Sequence, residues 1–318
     1  MPSYPFDRHF IDAVNKLSAE KWKFGWDYLL GKDEPLPGLL SDLEVYGFAQ
    51  DKVREIVKGL KNDSLDNLIQ LALSDSHNNS ENSPALTVLQ HRATKEVFER
   101  SKILCFSSEA HERALGLQIL MRDTGQIFHS ESIEIVLAML ETEIETIVLE
   151  SLAYALCHLR VQNRSLLLIR LITHLDPTIR EAVAFSLAGQ NDATAVKGLI
   201  ALSKDSIAKV RSWAIYGLGA MTTKNTRSIR DALLARVTDG DEEIRLEAIN
   251  GLAARHDKRV LMALKDALKS DDVKSLSVDA AKEIADPALL PLLLSLKAKA
   301  HNQKLLDDAI RACSFRNS

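Results

Sequence analysis

Cysteine is scarce in this 318-residue chain: Cys105, Cys157 and Cys313 are odd in number and far apart. Such a set builds neither a disulfide framework nor a zinc site of Cys-x-x-Cys type. Each one stands among apolar, helix-type residues, where a buried free thiol is expected. Proline (8) and glycine (13) are also few, and 46% of the residues are hydrophobic, which suits a packed helical protein and argues against disorder. There is no excess of positive charge. With 40 Lys and Arg against 44 Asp and Glu, and a pI near 6.2, the global electrostatic mark of a nucleic-acid binder is missing. Long apolar runs are absent too: the richest, SLLLIRLI, is broken by Arg170 and falls short of the roughly 18 residues a membrane helix needs. The opening MPSYPFDRHF has no basic stretch followed by an apolar one, so no membrane association and a cytoplasmic location are expected. The patterns GxxxxGK[ST], GxSxG, HExxH and paired CxxC do not occur, which removes the common nucleotide, hydrolase and zinc readings.

What the chain does contain is a repeat. Val148, Ile179, Val210, Ile244 and Leu276 recur at steps of 31 to 34 residues. Four positions after each stands a second apolar residue (Leu152, Val183, Ala214, Ala248, Ala280), and four further on a branched aliphatic (Leu156, Leu187, Leu218, Leu252, Ile284). A small residue follows each time: Cys157, Ala188, Gly219, Ala253, Ala285. Apolar positions at i, i+4 and i+8 make one continuous helix face. A period near 32 means a helix–turn–helix unit stacked on copies of itself, which exposes long surfaces to partners. The reading is an all-α, right-handed α-solenoid of roughly six or seven units, and the pattern points to binding before chemistry.

Four segments follow. Residues 1–61 form an aromatic-rich N-terminal helical cap; nine of the 17 aromatics, among them Trp22, Trp26 and Tyr28, fall in the first fifty positions. Residues 62–144 hold degenerate repeats, interrupted by the polar loop SDSHNNSENSP, and 145–300 hold regular ones. Residues 301–318 supply a last capping helix. Asp176 and Asp241 stand just before helix starts, where a carboxylate caps free N–H groups and meets the positive helix end.

DPTIREAVAFSLA, AKVRSWAIYGLGAM and DEEIRLEAINGLAAR resemble the HEAT-like repeats first named for phycobilin lyases, and the whole chain is similar to stand-alone bacterial HEAT-repeat proteins. The likeness is good over 145–299, fair over 62–141 and absent over 1–50. It implies a structural ladder in which Arg180, Arg211 and Arg245 bond to an aspartate of an adjacent unit, with Asp176, Asp241 or Asp205 as partner. Leu149 and Ser277 replace that arginine in the outer units. As a functional signal the family says little, because its fold serves scaffolds, inhibitors, adaptors and a few enzymes.

Enzymatic readings are poorly supplied with residues. A di-iron centre like that of deoxyhypusine hydroxylase needs several His-Glu pairs, and this chain has one, His111–Glu112, so no metal and no cofactor are expected. A DNA-glycosylase-like role needs a basic concave surface with tryptophans; Trp213 is the only repeat tryptophan, beside Ala214 and Ile215 that speak for packing. A bilin-lyase-like role leaves no diagnostic residue. The second helices, by contrast, carry Arg164, Arg170, Lys197, Lys204, Arg227, Arg230, Arg236, Arg259, Lys265 and Lys269 against Asp231 and Asp266. The first helices carry Glu150, Glu181, Glu242, Glu243 and Glu247. If the signs are segregated, an inner basic ridge centred on Arg227, Arg230, Arg259 and Lys265 meets an acidic protein, since complementary fields steer association. The alternative interface is the aromatic cap at Trp22 and Trp26. The expectation is a non-catalytic protein-binding scaffold of adaptor, inhibitor or immunity type; the different-class alternative is an enzyme or subunit acting on nucleic acid or a tetrapyrrole.

Overall fold

The computed structural model describes residues 60, 62–77, 83–92, 94–121, 127–297 and 302–314. The aromatic segment with Trp22 and Trp26 lies outside the described residues. Sixteen α-helices and no strand occur among those described, and they divide into two compact units, one ending at Arg160 and the other beginning at Val161. No described helix is long and apolar enough to cross a membrane.

The first unit contains α1 (Leu65–His77), α2 (Pro84–Arg92), α3 (Lys95–Cys105), α4 (Ala110–Leu120), α5 (His129–Thr142) and α6 (Thr146–His158). Thr94 starts α3 by accepting from the Val97 N–H at 3.3 Å, satisfying one of the donors a helix start leaves open. Leu68, Leu89, Leu104, Leu115 and Ile119 share the core of α1 to α4. Gly116 permits the close crossing of α3 and α4: a Cβ there would lie 2.8 Å from the Cys105 backbone N and Sγ and from the Ser101 carbonyl. In α6 the stripe Val148, Leu152 and Leu156 is wholly buried.

The second unit runs α7 (Arg164–Leu168), α8 (Pro177–Leu187), α9 (Ala193–Leu202), α10 (Ala208–Tyr216), α11 (Arg227–Leu234), α12 (Glu242–Ala253), α13 (Leu261–Leu268), α14 (Ser275–Ile284), α15 (Leu290–Ser295) and α16 (Gln303–Ser314). Odd and even helices alternate in role. The stripes of α8, α10 and α12 are buried at all three positions, each side chain contributing on the order of 1–3 kcal/mol by leaving water. In α14 the stripe is looser, with Leu276 half-buried above a covered Ala280 and Ile284. Aspartates begin three of these helices and the 3-10 turn Pro287–Leu289 that leads into α15: Asp176, Asp192, Asp241 and Asp286 accept backbone N–H bonds two or three residues on, at 2.9–3.2 Å. Gly189, at φ +77°, turns the chain out of α8 in the left-handed region that its missing Cβ allows.

The 34-residue step from Val210 to Ile244 has a local cause. After α10 the chain widens into a π turn, Gly217–Met221, closed by the Thr222 N–H on the Gly217 carbonyl at 3.1 Å. Gly219 in that turn lies against Gly251 of α12, where a Cβ would come within 2.7 Å of the Gly219 Cα. The small residue at the end of the stripe therefore sets the helix spacing. Cys105 and Cys313 are buried free thiols, whereas Cys157 is only half-buried.

Candidate functional site

Three arginines form the same rung. Arg180 directs Nε and Nη2 at the two carboxylate oxygens of Asp205 (2.6 and 2.9 Å), while its Nη1 donates to the carbonyls of His174 and Leu175 (2.7 and 3.0 Å). Arg211 repeats this on Asp239 (2.9 and 2.8 Å) and on the carbonyls of Asp205 and Ser206 (2.9 and 3.0 Å). In the first unit Arg113 does the same with Glu143 (2.8 and 3.1 Å) and the carbonyls of Ser107 and Ser108. Each guanidinium thus ties the loop before its own helix to the loop before the next. The fork geometry is the strong, bidentate form of the charged hydrogen bond. The bond from Arg211 holds the Asp239 carboxyl below the usual carboxylate range. The ladder partners are therefore Asp205 and Asp239, not Asp176 and Asp241. Those two stand four residues before an arginine at a helix start, and their oxygens serve the N-terminal N–H groups instead. Arg245 holds the carbonyls of Asp239 and Gly240, at 2.7 and 3.1 Å, with no carboxylate in bonding range among the described residues.

The second concentration of charge is a hollow of about 450 Å³ lined by Arg227, Arg230, Arg255, His256, Asp257, Lys258 and Arg259. Two elements build it. Thr226 accepts from the Ile229 N–H and starts α11, which presents Arg227 and Arg230 three residues apart on adjacent turns. Asp257 then starts a 3-10 turn, Lys258–Val260, by accepting from the Arg259 N–H at 3.1 Å. Arg227 is almost fully exposed, 3.5 Å from Asp231. Arg230 is half-buried, donating to the Asn225 side-chain oxygen at 2.5 Å and lying 3.4 Å from Asp257. Arg259 reaches Asp257 at 2.6 Å and Asp231 at 2.7 Å, and holds the carboxyls of both below their ordinary range.

Arg255 is the fixed floor of this charge. All five of its N–H groups go to backbone carbonyls, those of Leu218, Gly219, Thr222, Lys224 and Gly251, at 2.6–3.3 Å. It therefore closes the π turn of α10 and brings a cation into the hollow without a carboxylate. Burial, and then the charge of Arg230, lower its pKa from the usual value, which is the sign of a cation kept partly out of water. Five cationic side chains line the hollow against Asp257. Counting Asp231 and Asp286, which pair with Arg227, Arg259 and Lys258, the cations still exceed the carboxylates by two.

Arg227, Arg230 and Arg259 thus come together, as the sequence grouped them, but Lys265 does not line the hollow; it is half-buried on α13. Other ridge candidates turn inward. Arg164 is buried with Nε on the Ser186 carbonyl at 2.8 Å, and Arg236 reaches back to Asp239 at 3.3 Å. On the first helices Glu181 and Glu247 are buried, so an acidic outer surface does not extend through them. Trp213 is clasped edge-on by Phe185 at 4.9 Å and by Tyr216 at 6.1 Å. His111 is half-buried on α4, and no three His, Cys, Asp or Glu side chains among the described residues are grouped to hold a metal.

Residues 165–230 match the family described as HEAT repeats. Protein YibA of Escherichia coli K12 is 38% identical over 132 residues, 42% of this chain, and YibA of the O157:H7 strain gives the same values. The chain spans 47% of the length of these curated relatives in that match. In structure, the X-ray structure of E. coli YibA overlays with a TM-score of 0.69 at 27% identity, over 83% of this chain and 97% of that one. An engineered protein overlays at 0.55 and 15% identity, over 95% and 97% of the two chains, a likeness of fold alone. The buried stripe, the alternating helices and these matches agree: the chain carries HEAT repeats over residues 165–230, within an all-α solenoid fold similar to that of YibA.

Proposed function

We propose that this protein is a non-catalytic, cytoplasmic scaffold that binds an acidic partner protein at the hollow of Arg227, Arg230 and Arg259, as an adaptor, inhibitor or immunity-type protein. The observation that carries the reading is the convergence of five cations around one shallow hollow in a chain whose net charge is -4. Complementary charge of that kind sets partner choice and encounter rate more than raw affinity. The edge-on contacts of Trp213 with Phe185 and Tyr216 support a packing role for it rather than one in base recognition.

The test is reversal of charge at two residues. Arg227→Glu with Arg230→Glu weakens the partner captured from the native host at least about tenfold, or ~1.4 kcal/mol. Arg227→Glu alone leaves the melting temperature unchanged, because that side chain is almost fully exposed in the first turn of α11. Arg230→Glu sets a carboxylate beside Asp257 and lowers it, so circular dichroism checks that the double variant is folded. Wild-type affinity of the double variant at low salt would place the interface elsewhere, with Trp22 and Trp26 the next residues to substitute. Binding of duplex DNA with a steep salt dependence, lost in the same variant, would replace the protein partner by nucleic acid.

A further inference from the structure

The ladder stops short of the last repeats, and it leaves a cavity where it stops. In the formed rungs the acid stands six positions before the next arginine: Asp205 before Arg211, Asp239 before Arg245. Its carboxylate is held by the preceding arginine and its backbone carbonyl by the following one. The same register supplies Asp271, six positions before Ser277. A serine is too short to reach back to that carbonyl. Asp271 is exposed, and the neighbouring Asp272 pairs with Lys274. The Nε and Nη2 edge of Arg245 is left without a carboxylate among the described residues.

A cavity of about 350 Å³ opens here among α12, α13 and α14, and Arg245 and Ser277 both line it. Ser277 is 1% exposed, and its Oγ has no hydrogen-bond partner. The Ser277 hydroxyl is thus a buried donor left without an acceptor, a costly arrangement, and the half-buried Arg245, whose Nε and Nη2 meet no carboxylate among the described residues, lines the same space. Leu246, Ile249 and Ala263 give the same space an apolar wall. Glu242, Asp266 and Asp272 line it too, against Lys274 and Arg245, so a doubly charged anion is repelled more than a singly charged one. A planar carboxylate answers both donors, since a guanidinium fork takes its two oxygens in parallel, as Arg180 and Arg211 take those of Asp205 and Asp239.

We infer that this cavity is a carboxylate-binding site: it takes a singly charged carboxylate bearing a short branched aliphatic group, forked by Arg245 and bonded by Ser277. The group comes either as a free small acid or as the C-terminal residue of a peptide. The site shares no lining residue with the basic hollow and stands independently of the function proposed for it.

The experiment titrates the full chain with isovalerate and, separately, with acetyl-Gly-Gly-Val carrying a free C-terminus, followed by calorimetry and NMR shifts. Saturable binding of either probe is the expected result. A tenfold preference for the peptide assigns the source to a chain terminus, and the reverse preference to a free acid. Arg245→Lys weakens the better probe at least about tenfold, because an ammonium cannot fork. Ser277→Arg restores the repeat's own arginine, fills the cavity, abolishes binding and raises the melting temperature. Asp271→Asn leaves binding unchanged. Three results overturn the inference: no saturation by either probe up to about 50 mM, undiminished binding by a folded Ser277→Arg protein, or inorganic phosphate binding as tightly as the carboxylates.

Discussion

Arg211 and Asp239, 28 residues apart, meet through two parallel bonds of 2.9 and 2.8 Å, and the Asp239 side chain is only 2% exposed. Removing the acid strands a guanidinium that is itself 15% exposed. Asp239→Ala therefore costs about 2–4 kcal/mol in urea unfolding. Asp66→Ala removes the exposed partner of Arg100 and costs under about 1 kcal/mol. Equal losses would show that the rungs are no stronger than surface pairs. The acid limb of stability follows from the same bond. The Arg211 hydrogen bond lowers the folded pKa of Asp239 below its ordinary 3.8, so its contribution is present above that value and disappears as pH falls through the folded one. The stability gap between wild type and Asp239→Asn should narrow below about pH 4. A gap unchanged down to pH 2 would count against this linkage.

Ala248 is fully buried on the stripe of α12, in the helix whose Gly251 lies against Gly219. No room exists for a ring. Ala248→Phe should cost roughly 1–3 kcal/mol or more by overpacking. Lys269→Ala, which removes an exposed pair with Asp266, should leave thermal unfolding unchanged. A melting temperature unmoved by the phenylalanine would refute the assigned inward face.

The thiols should differ in reactivity. Burial pushes the Cys105 pKa up to about 12, and burial with the charge of Asp286 pushes Cys313 up to about 11. Cys157 is half-buried. With Ellman's reagent near pH 8, one thiol should react before unfolding and all three after it. Cys157→Ser should remove the early reaction. Fast labelling of Cys105 in the folded protein would contradict the packing of α3 on α4.

The buried stripe was legible because it depends on spacing alone: side chains four apart on a helix share a face, whatever the tertiary context. Partner choice in the ladder was less so. Asp176 and Asp241 attract attention by lying one turn before an arginine, yet a helix start claims such oxygens first. The working acids Glu143, Asp205 and Asp239 stand six positions before the arginine position of the next repeat, which is Leu149, Arg211 and Arg245 in turn, a register visible in the sequence once it is looked for. Arg113 was legible in the same way, three residues before Gly116 and seven before Leu120, as Arg180 precedes Val183 and Leu187. The burial of Arg164 had no such signal. Its helix is five residues long and passes into a 3-10 turn, so a face counted at 3.6 residues per turn does not hold there. The role of Arg255 depends on the π turn, which sequence spacing showed only as a longer step.

In an array of repeats, neighbour coupling decides how far an opening spreads. From His174 to Arg245 the loops are clasped pairwise by Arg180 and Arg211, so those segments should open together. Beyond Arg245 no guanidinium fork joins one loop to the next among the described residues: Arg259 ties the 3-10 turn back to Asp231 of α11. Onward the charged link is Lys258 with Asp286, 3.6 Å apart with the lysine 79% exposed, beside the bond from the Cys313 thiol to the Ala281 carbonyl. The cooperative unit should therefore end there. Amide hydrogens of α13 to α16 should exchange through fraying of lower free energy than those of α8 to α12, as a separate foldon in native-state exchange. Restoring the missing arginine at position 277 should merge the two.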